Sequence, residues 1–162
     1  EGVMHLQDAG IAGVAAFVLG FPGETDETLR EDIEFIESTQ VPFYTLKEFY
    51  YMHHTSVHDN RARYGLEGDG ADWRHNTMDS ETARRRRLAM FQEIRGSVFV
   101  DPDSSLWYLA YLYDQGFSLS AIREMQRQLN TVIQEQMAGR FDDAHPAFDT
   151  VSRYLNAEGG PL

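Results

Sequence analysis

The sequence predicts an α/β fold that is followed by an all-helical C-terminal region. Three observations lead to this prediction: an apolar run of strand length at 13–20, an aromatic-rich strand at 43–52, and helical periodicity from residue 80 onward. A segment of helix length separates the two strands, and the order strand–helix–strand is typical of a βαβ unit. We therefore expect two parallel strands joined by a right-handed crossover.

The first strand is predicted at Gly13–Gly20, which contains no polar side chain. A strand without polar alternation is usually covered on both faces, as in parallel sheets flanked by helices. Residues 1–9 have the pattern of a helix end, and Gly10 is placed to close that helix as a C′ glycine.

A helix is predicted directly after the turn at 21–24, with Thr25 or Asp26 suited to its N-cap. Apolar residues recur at helical spacing and form its buried stripe. Those residues are Leu29, Ile33 and Ile36. Pro42 ends the helical pattern before the second strand begins.

The rest of the chain divides into an irregular segment and a series of helices. Residues 53–79 are polar, and their glycines mark turns. From residue 80, apolar residues recur at helical spacing, and the aromatic stripe of the segment 106–113 is expected to be core. The predicted organisation has three parts: the α/β part at 1–64, an irregular connection at 65–79 and a helical extension at 80–162.

Composition limits the class of protein. The chain of 162 residues is 42% hydrophobic and 25% charged, which is typical of a globular domain with its own core. A formal net charge of −12 argues against a nucleic acid partner, because phosphate binding needs a basic face. Lys47 is the only lysine, so almost all of the positive charge is arginine, which suits bidentate carboxylate or phosphate contacts.

The sequence also gives expectations about cellular location and about the length of the parent protein. No apolar run reaches the length that spans a bilayer, and the N-terminus has no signal-peptide pattern, so cytoplasm is the default expectation. Because the chain lacks an initiator Met, we expect it to begin inside a larger protein. With no cysteine, it offers no disulfide, no thiolate metal site and no thiolate ligand for an iron–sulfur cluster.

The turn after the first strand is the most informative motif. A glycine-rich turn between a strand and a helix N-terminus favours anions or polar ligand groups, because free backbone N–H groups and the helix dipole meet there. A P-loop is excluded, since Gly23 is followed by Glu24-Thr25 and not by Lys-Ser/Thr. The spacing of Gly20 and Gly23 does not give the dinucleotide fingerprint either.

The string from Phe17 to Thr25, FVLGFPGET, resembles the end of the fifth barrel strand in radical SAM enzymes. That strand commonly finishes in Gly-Phe-Pro-Gly-Glu-Thr or a near variant. The string WRHNTM at 73–78 is similar to the segment after the barrel in the subgroup that pairs a cobalamin-binding domain with radical SAM. The resemblance implies the last two βα units of a partial (β/α)6 barrel followed by a C-terminal extension.

This resemblance also implies a function. The chain would be a fragment of a radical SAM iron–sulfur oxidoreductase or transferase. The full-length enzyme would use S-adenosylmethionine and a 4Fe–4S cluster as cofactors. A separate upstream domain could bind cobalamin. The family's Cys-x3-Cys-x2-Cys loop is absent, so the fragment alone would be inactive and its partner would be the missing N-terminal half. Its small-molecule substrate is not identified. In isolation it should dimerise or rearrange, because part of a barrel exposes an unpaired strand edge.

Seven cofactor contacts are implied by the same resemblance. In related enzymes the apolar residue two before the strand-ending glycine touches the adenine, the turn backbone lies near the cofactor, and the end of the next strand closes over the adenine. The corresponding residues here are Val18, Gly20, Phe21, Pro22, Gly23, Phe49 and Met52. Without the family pattern, the same residues would be ordinary core and turn.

Two histidines and two arginines are candidates for substrate binding or proton transfer. His53 and His54 follow the second strand, and histidine commonly acts as a general acid or base. Adjacent residues of an extended segment point to opposite sides, so the two rarely share a metal. Arg84 and Arg87 are predicted on the inward edge of a helix, where they could clamp a substrate carboxylate. The alternatives are a polar loop for the histidines and ion pairs with nearby acids for the arginines.

A second hypothesis comes from a different class of protein. The chain could be a noncatalytic α/β-plus-helical module that binds a partner protein through the exposed face of the predicted helix at Leu119–Met137. The glycine-rich turn would then be only structural. An antiparallel arrangement of the two predicted strands would count against the radical SAM interpretation.

Overall fold

The structure is a computed structural model that describes residues 2–103, 105–140 and 142–158. Within this part the chain is a mixed α/β protein, as predicted. In chain order its elements are α1 (Gly2–Asp8), β1 (Val14–Leu19), α2 (Asp26–Thr39), β2 (Phe43–Glu48), α3 (Ser56–Asp59), α4 (Arg61–Tyr64), β3 (Glu67–Asp69), β4 (Asp72–Arg74), α5 (Ser80–Glu93), β5 (Val98–Phe99), α6 (Ser105–Asp114), α7 (Leu119–Met137) and α8 (Pro146–Glu158).

The main sheet is small and parallel, with strand order β1-β2-β5. β1 and β2 are neighbours, and α2 separates them in the chain, so the predicted βαβ order is confirmed. β2 pairs with β5 in parallel, with Phe43 opposite Val98 and Tyr44 opposite Phe99. The finer assignment to a partial barrel stays a prediction.

The prediction that the C-terminal region is all-helical is wrong, because β5 joins the sheet. Helical periodicity was expected from residue 80 onward, whereas α5 ends at Glu93 and Ile94 is already extended. Val98 and Val100 are buried and donate backbone N–H groups to Pro42 and Tyr44 at 3.3 and 2.8 Å. A short run rich in β-branched residues is more stable beside β2, where its backbone finds partners, than as a further helical turn.

The connection at 65–79 is also more regular than expected. β3 and β4 form an antiparallel hairpin in which Glu67 is opposite Arg74. Tyr51 and Gly70 exchange backbone hydrogen bonds of 2.8 and 3.1 Å, which ties the hairpin to the segment after β2. The backbone of Gly68 has φ +96, and a Cβ there would lie 2.1 Å from the Asp72 carbonyl oxygen, so the hairpin requires glycine at this position.

Burial of β1 differs from the prediction that both of its faces are covered. Val14 and Val18 are 39% and 51% exposed, whereas Leu19 is fully buried. Residues along β1 alternate between more and less exposed, because β1 is an outer strand of the sheet and one of its faces meets solvent. The strand with both faces covered is β2, in which residues 43–46 are all buried.

By compactness the described chain forms two units. The first comprises residues 1–14, 41–45 and 97–162, and the second comprises 15–40 and 46–96. The predicted boundaries after residues 64 and 79 stay a prediction. No helix of the described residues is long and apolar enough to cross a membrane.

The first unit has an apolar core between β5 and the C-terminal helices. Its buried members are Phe43, Val98, Val100, Leu109, Leu112, Phe117, Ile122 and Met125. α7 is held to β5 by Asn130, whose side-chain amide donates to the Phe99 carbonyl at 2.9 Å. The expectation of a buried aromatic stripe in α6 is wrong: Trp107 is 80% exposed, because the aliphatic Leu109 and Leu112 occupy the core face.

The second unit contains α2, the hairpin and α5. Thr25 caps α2 with a reciprocal pair of hydrogen bonds to Thr28, which confirms one of the two predicted caps. Leu29 and Ile36 of the predicted stripe are buried. The carboxylate of Glu37 accepts hydrogen bonds from the backbone N–H groups that follow α5, so the C-terminal end of α2 is linked to that segment.

Candidate functional site

The turn after β1 is held by two hydrogen bonds at Gly20. The Gly20 N–H donates to the Glu24 carboxylate at 2.5 Å, and the Gly20 carbonyl oxygen accepts from Nε2 of His75 at 3.0 Å. Because Nδ1 of His75 accepts from the Thr77 N–H at 3.3 Å, the ring carries its proton on Nε2. Both polar backbone groups of Gly20 are therefore satisfied within the protein.

Trp73 covers this turn. Its indole N–H donates to the Phe49 carbonyl at 2.7 Å, and its ring stacks on His75 at 5.1 Å with an interplanar angle of 2°. Gly20 has φ +83, and a Cβ built on it would lie 2.3 Å from the Trp73 ring. Gly20 is therefore required both by its left-handed backbone and by the close approach of the indole.

Five aromatic rings meet at the C-terminal ends of β1 and β2, and we call them the strand-end cluster. They are Phe21, Phe49, Tyr51, Trp73 and His75. Phe49 lies at the centre, with ring-centroid distances of 5.4 Å to Phe21 and 5.3 Å to Trp73, both edge-on, and 6.5 Å to Tyr51. It is 7% exposed and therefore belongs to the packing of the cluster.

Beside the strand-end cluster lies a stacked pair of histidines, His53 and His58, with ring centroids 4.6 Å apart. Nε2 of His53 is 3.2 Å from the Asp69 carboxylate, and Nδ1 of His58 is 2.9 Å from the Tyr51 hydroxyl. Desolvation, together with the nearby Arg61 and His53, lowers the pKa of His58. The arrangement brings together two polar pairs, His53 with Asp69 and His58 with Tyr51, which meet through the stacked imidazoles. Each pair contains a histidine, a residue type that commonly acts as a general acid or base.

His54 does not join this pair. Its side chain is exposed, and its backbone is left-handed with φ +61, which turns it away from the direction of an extended segment. Among the described residues, no group of three or more His, Asp or Glu side chains is arranged to hold a metal ion.

The seven predicted cofactor contacts fall into two sets. Val18, Phe21 and Met52 are 51%, 47% and 56% exposed and present apolar surface at the strand ends. Gly23 is also exposed. The buried residues of the set are Gly20, Pro22 and Phe49. The cofactor role of each stays a prediction.

The two predicted substrate arginines lie in different surroundings. The Arg87 guanidinium donates to the Leu46 carbonyl at 3.1 Å and pairs with Glu48 at 3.4 Å. Arg84 is more exposed and lies 3.5 Å from Asp72 and 3.7 Å from Glu81. Their contacts are therefore those of the alternative, ion pairing, and the two arginines pair with different carboxylates.

Sequence reasoning did not assign a site role to Trp73, His75, Tyr51 or Asp69. The signal available for Trp73 and His75 was two rings two residues apart, which share a face wherever the chain is extended. Their partners, Phe49 and Gly20, are 24 and 55 residues away in the chain. A local sequence pattern cannot predict a hydrogen-bond partner that is so far away in the chain.

Comparisons with known proteins do not place this chain in a family. No protein-family model, curated protein or solved structure gives a significant match.

Replacing Gly20 should destabilise the turn through the Trp73 ring. We expect Gly20→Ala to lower the free energy of unfolding by about 1–3 kcal/mol more than Gly23→Ala, the magnitude typical of an overpacked site. Gly23 is the matched control, because it also has a positive φ but its Cβ would meet nothing within 4 Å. Urea unfolding of both variants measures the difference, and equal losses would contradict the close approach of Trp73.

Glu24 should make stability depend on pH. Burial raises the pKa of this carboxyl above its ordinary 4.5, the Gly20 N–H partly offsets that rise, and Asp32 adds to it. The fold therefore binds this proton more tightly than the unfolded chain does, so the contribution is present below pH 4.5 and is lost as pH rises through the raised value. Glu24→Gln should become progressively more stable relative to wild type over that range in urea unfolding. Asp32 is present in both proteins, so a difference that stays constant with pH would refute the prediction.

Proposed function

We propose that this chain is the C-terminal part of a radical SAM iron–sulfur oxidoreductase or transferase and that it contributes contacts to S-adenosylmethionine and substrate. The observation that carries the proposal is the string FVLGFPGET at 17–25, which resembles a strand end of that family. In support, this string covers the last residues of β1 and the turn into α2, and β1 lies beside β2 in a parallel sheet. Ligands commonly bind at the C-terminal ends of parallel strands.

The proposed contacts of this chain are apolar side chains. Both polar backbone groups of Gly20 are already bonded, to Glu24 and to His75, so this residue has little to offer a ligand. Val18, Phe21 and Met52 are exposed at the strand ends and suit the flat, largely apolar faces of an adenine ring. S-adenosylmethionine would supply the reactive group, and these side chains would position its base.

The 4Fe–4S cluster does not fit the residues of this chain. Such clusters are held by cysteine thiolates, and the chain has no cysteine. The proposal therefore assigns cluster ligation to the N-terminal half of a longer protein, and any cobalamin to a separate domain. The groups of this chain that are best suited to proton transfer on the substrate are His53 and His58, with Asp69 and Tyr51 attached to them.

The first experiment concerns the parent gene and the protein that it encodes. A Cys-x3-Cys-x2-Cys motif should lie about 100–150 residues upstream, because four βα units fill that length. In the full-length protein reconstituted with iron and sulfide, Val18→Asp should weaken binding of S-adenosylmethionine at least about tenfold, equivalent to about 1.4 kcal/mol. Val14→Asp is the matched control, since Val14 lies on the same face of β1 at its other end.

The measurement is equilibrium dialysis with labelled S-adenosylmethionine. An encoded protein without the cysteine motif would end the proposal. Equal effects of the two substitutions on the affinity for S-adenosylmethionine would also end the proposal, because a ligand bound at one end of β1 contacts Val18 and not Val14.

A second candidate function is a noncatalytic module that binds a partner protein. The observation that favours it is apolar exposure on the helices of the first unit, where Trp107, Tyr113 and Ile133 are 80%, 65% and 42% exposed. Binding of S-adenosylmethionine that depends on Val18 separates the two functions, because the module would use helix surfaces and leave the strand ends unoccupied.

We further propose that the isolated chain pairs with a second copy along the open edge of β1. β1 is an outer strand in the order β1-β2-β5, and no other described strand pairs with it. The Leu19 carbonyl accepts from the Phe49 N–H at 2.7 Å, on the β2 side. Because backbone groups alternate along a strand, those of Val14, Ala16 and Val18 point to the open edge.

The charge pattern and the register both favour a second copy at this edge. Residues 9–23 carry no charged side chain in a chain of net charge −12, so two copies meet here without like-charge repulsion. Antiparallel pairing has to match exposed face with exposed face. This condition is met when Ala16 of one copy lies opposite Ala16 of the other. In that register Val14 lies opposite Val18, so all three residues whose backbone groups point to the open edge take part in the pairing. Shifting it towards Gly20 would require backbone groups that Glu24 and His75 already occupy.

A single introduced cysteine tests this pairing, because the natural chain has none. In Ala16→Cys the two Cα atoms would lie about 5.5 Å apart, within disulfide range. In the neighbouring control Ala15→Cys they would lie more than about 7 Å apart, which is too far. Mild oxidation should therefore give a species of twice the 18.6 kDa chain mass for the first variant only.

Sedimentation provides the complementary measurement. Wild type should sediment as a dimer, and Ala16→Lys, which brings two like charges together at the pair axis, should sediment as a monomer. A monomeric wild type, or equal cross-linking of the two cysteine variants, would contradict the pairing along β1.

A further inference from the structure

A groove between α7 and α8 in the first unit brings three arginines together in an otherwise acidic protein. Arg123 and Arg127 line one wall, and Arg153 lines the other. Two hydroxyl residues, Ser120 and Thr150, also line the groove, which has a volume of about 610 Å³. Arg123 and Arg127 are four residues apart on one helix, so both project from the same face of α7.

The positive charge of this groove is only partly neutralised by the residues that line it. Arg127 pairs with Glu124 at 2.8 Å, and Arg153 donates to the Thr150 hydroxyl at 3.0 Å. Nε of Arg123 is buried and has no hydrogen-bond partner among the described residues. Among the described residues that line the groove, Glu124 is the only carboxylate, so three cations face one anion while the whole chain carries a net charge of −12.

Arg123 is the least satisfied member of this set. Burial, followed by repulsion from Arg127, lowers the pKa of Arg123. A buried donor without a partner destabilises the fold, and two neighbouring like charges add to that cost. A bound anion would offset the repulsion, because it places negative charge between the guanidinium groups.

We propose that this groove binds a phosphate monoester of a small molecule. A tetrahedral dianion has enough oxygens to accept from guanidinium groups on both walls, whereas a single planar carboxylate is matched by one guanidinium fork. The volume exceeds that of a lone phosphate and lies in the range of small-molecule sites, which leaves room for an organic group beside Tyr154. Ser120 adds a hydroxyl to the lining, whereas the Thr150 hydroxyl already donates to the Pro146 carbonyl at 3.3 Å.

This inference is independent of the radical SAM proposal. The groove lies on α7 and α8, and none of the residues proposed to contact S-adenosylmethionine belongs to its lining. Failure of one proposal therefore leaves the other unchanged.

The test is calorimetric titration of the full 162-residue chain with phenyl phosphate and with inorganic phosphate at constant ionic strength. Phenyl phosphate should bind, and Arg153→Gln should weaken that binding about tenfold or more, as for a lost charge-assisted hydrogen bond. Arg123→Gln should weaken it likewise. Arg153 lies on the exposed surface, so its variant keeps the test decisive if the half-buried Arg123 variant fails to fold.

Arg30→Gln is the control, because it removes the same charge from α2, outside the groove. It should leave the affinity within about twofold of wild type, because Arg30 is not among the residues that line the groove. Absence of phenyl phosphate binding, or equal weakening by Arg30→Gln and Arg153→Gln, would overturn the proposal. Tight binding of inorganic phosphate alone would overturn the monoester assignment, and equally tight binding of benzoate would overturn the choice of phosphate over carboxylate.

Discussion

The approach of Trp73 to Gly20 is the contact on which the strand-end region depends. The indole lies so close to the Gly20 Cα that it leaves no space for a Cβ, and its N–H is held by the Phe49 carbonyl. His75 stacks on the same indole and donates to the Gly20 carbonyl. One short strand, β4, together with the residue after it, thus ties the end of β1 to the end of β2. Because these polar groups are buried, losing any one bond would leave an unsatisfied partner at a cost of about 1–3 kcal/mol.

This arrangement changes what the glycine-rich turn can do. Such turns attract anions through free N–H groups, but here the Glu24 carboxylate already accepts from Gly20, and the Thr25 side chain caps α2. The protein supplies its own anion at this place. What the turn leaves to a ligand is apolar surface, chiefly Val18 and Phe21, which favours contact with a flat organic ring over contact with a phosphate.

Arginine has two distinct roles in this acidic chain. On α5, Arg86 and Arg87 pair with carboxylates of other segments, Asp26 at 2.6 Å and Glu48 at 3.4 Å, and so hold packed segments together. On α7 and α8 the arginines face a groove that contains a single carboxylate. The first arrangement is complete within the fold, whereas the second lacks negative charge. The partners of each arginine therefore distinguish structural arginines from those available to a ligand. The residue type alone does not make this distinction, because all of them carry the same guanidinium group.

Much of the fold followed from local sequence patterns, because a helix or a turn is decided within a few residues. The spacing of Leu29 and Ile36, the cap at Thr25 and the closing Gly10 all act within one or two helical turns, and each has the predicted effect. β5 and the hairpin β3–β4 were missed for a related reason. Two- and three-residue strands have no periodicity of their own and exist only where a neighbouring strand offers hydrogen-bond partners.

The sequence alone determined the α/β class, the βαβ order, the absence of thiolate ligands and the family-like motif at 17–25, since each depends on composition or on contiguous residues. Tertiary structure decided which side chains are used in internal contacts and which remain available to a ligand. It brought His75 to Gly20 across 55 residues, stacked His53 on His58, and placed Arg153 opposite Arg123. The reason is physical: local periodicity decides which face of an element is apolar, whereas the partner of a buried polar group is set by the other groups that packing leaves unsatisfied nearby.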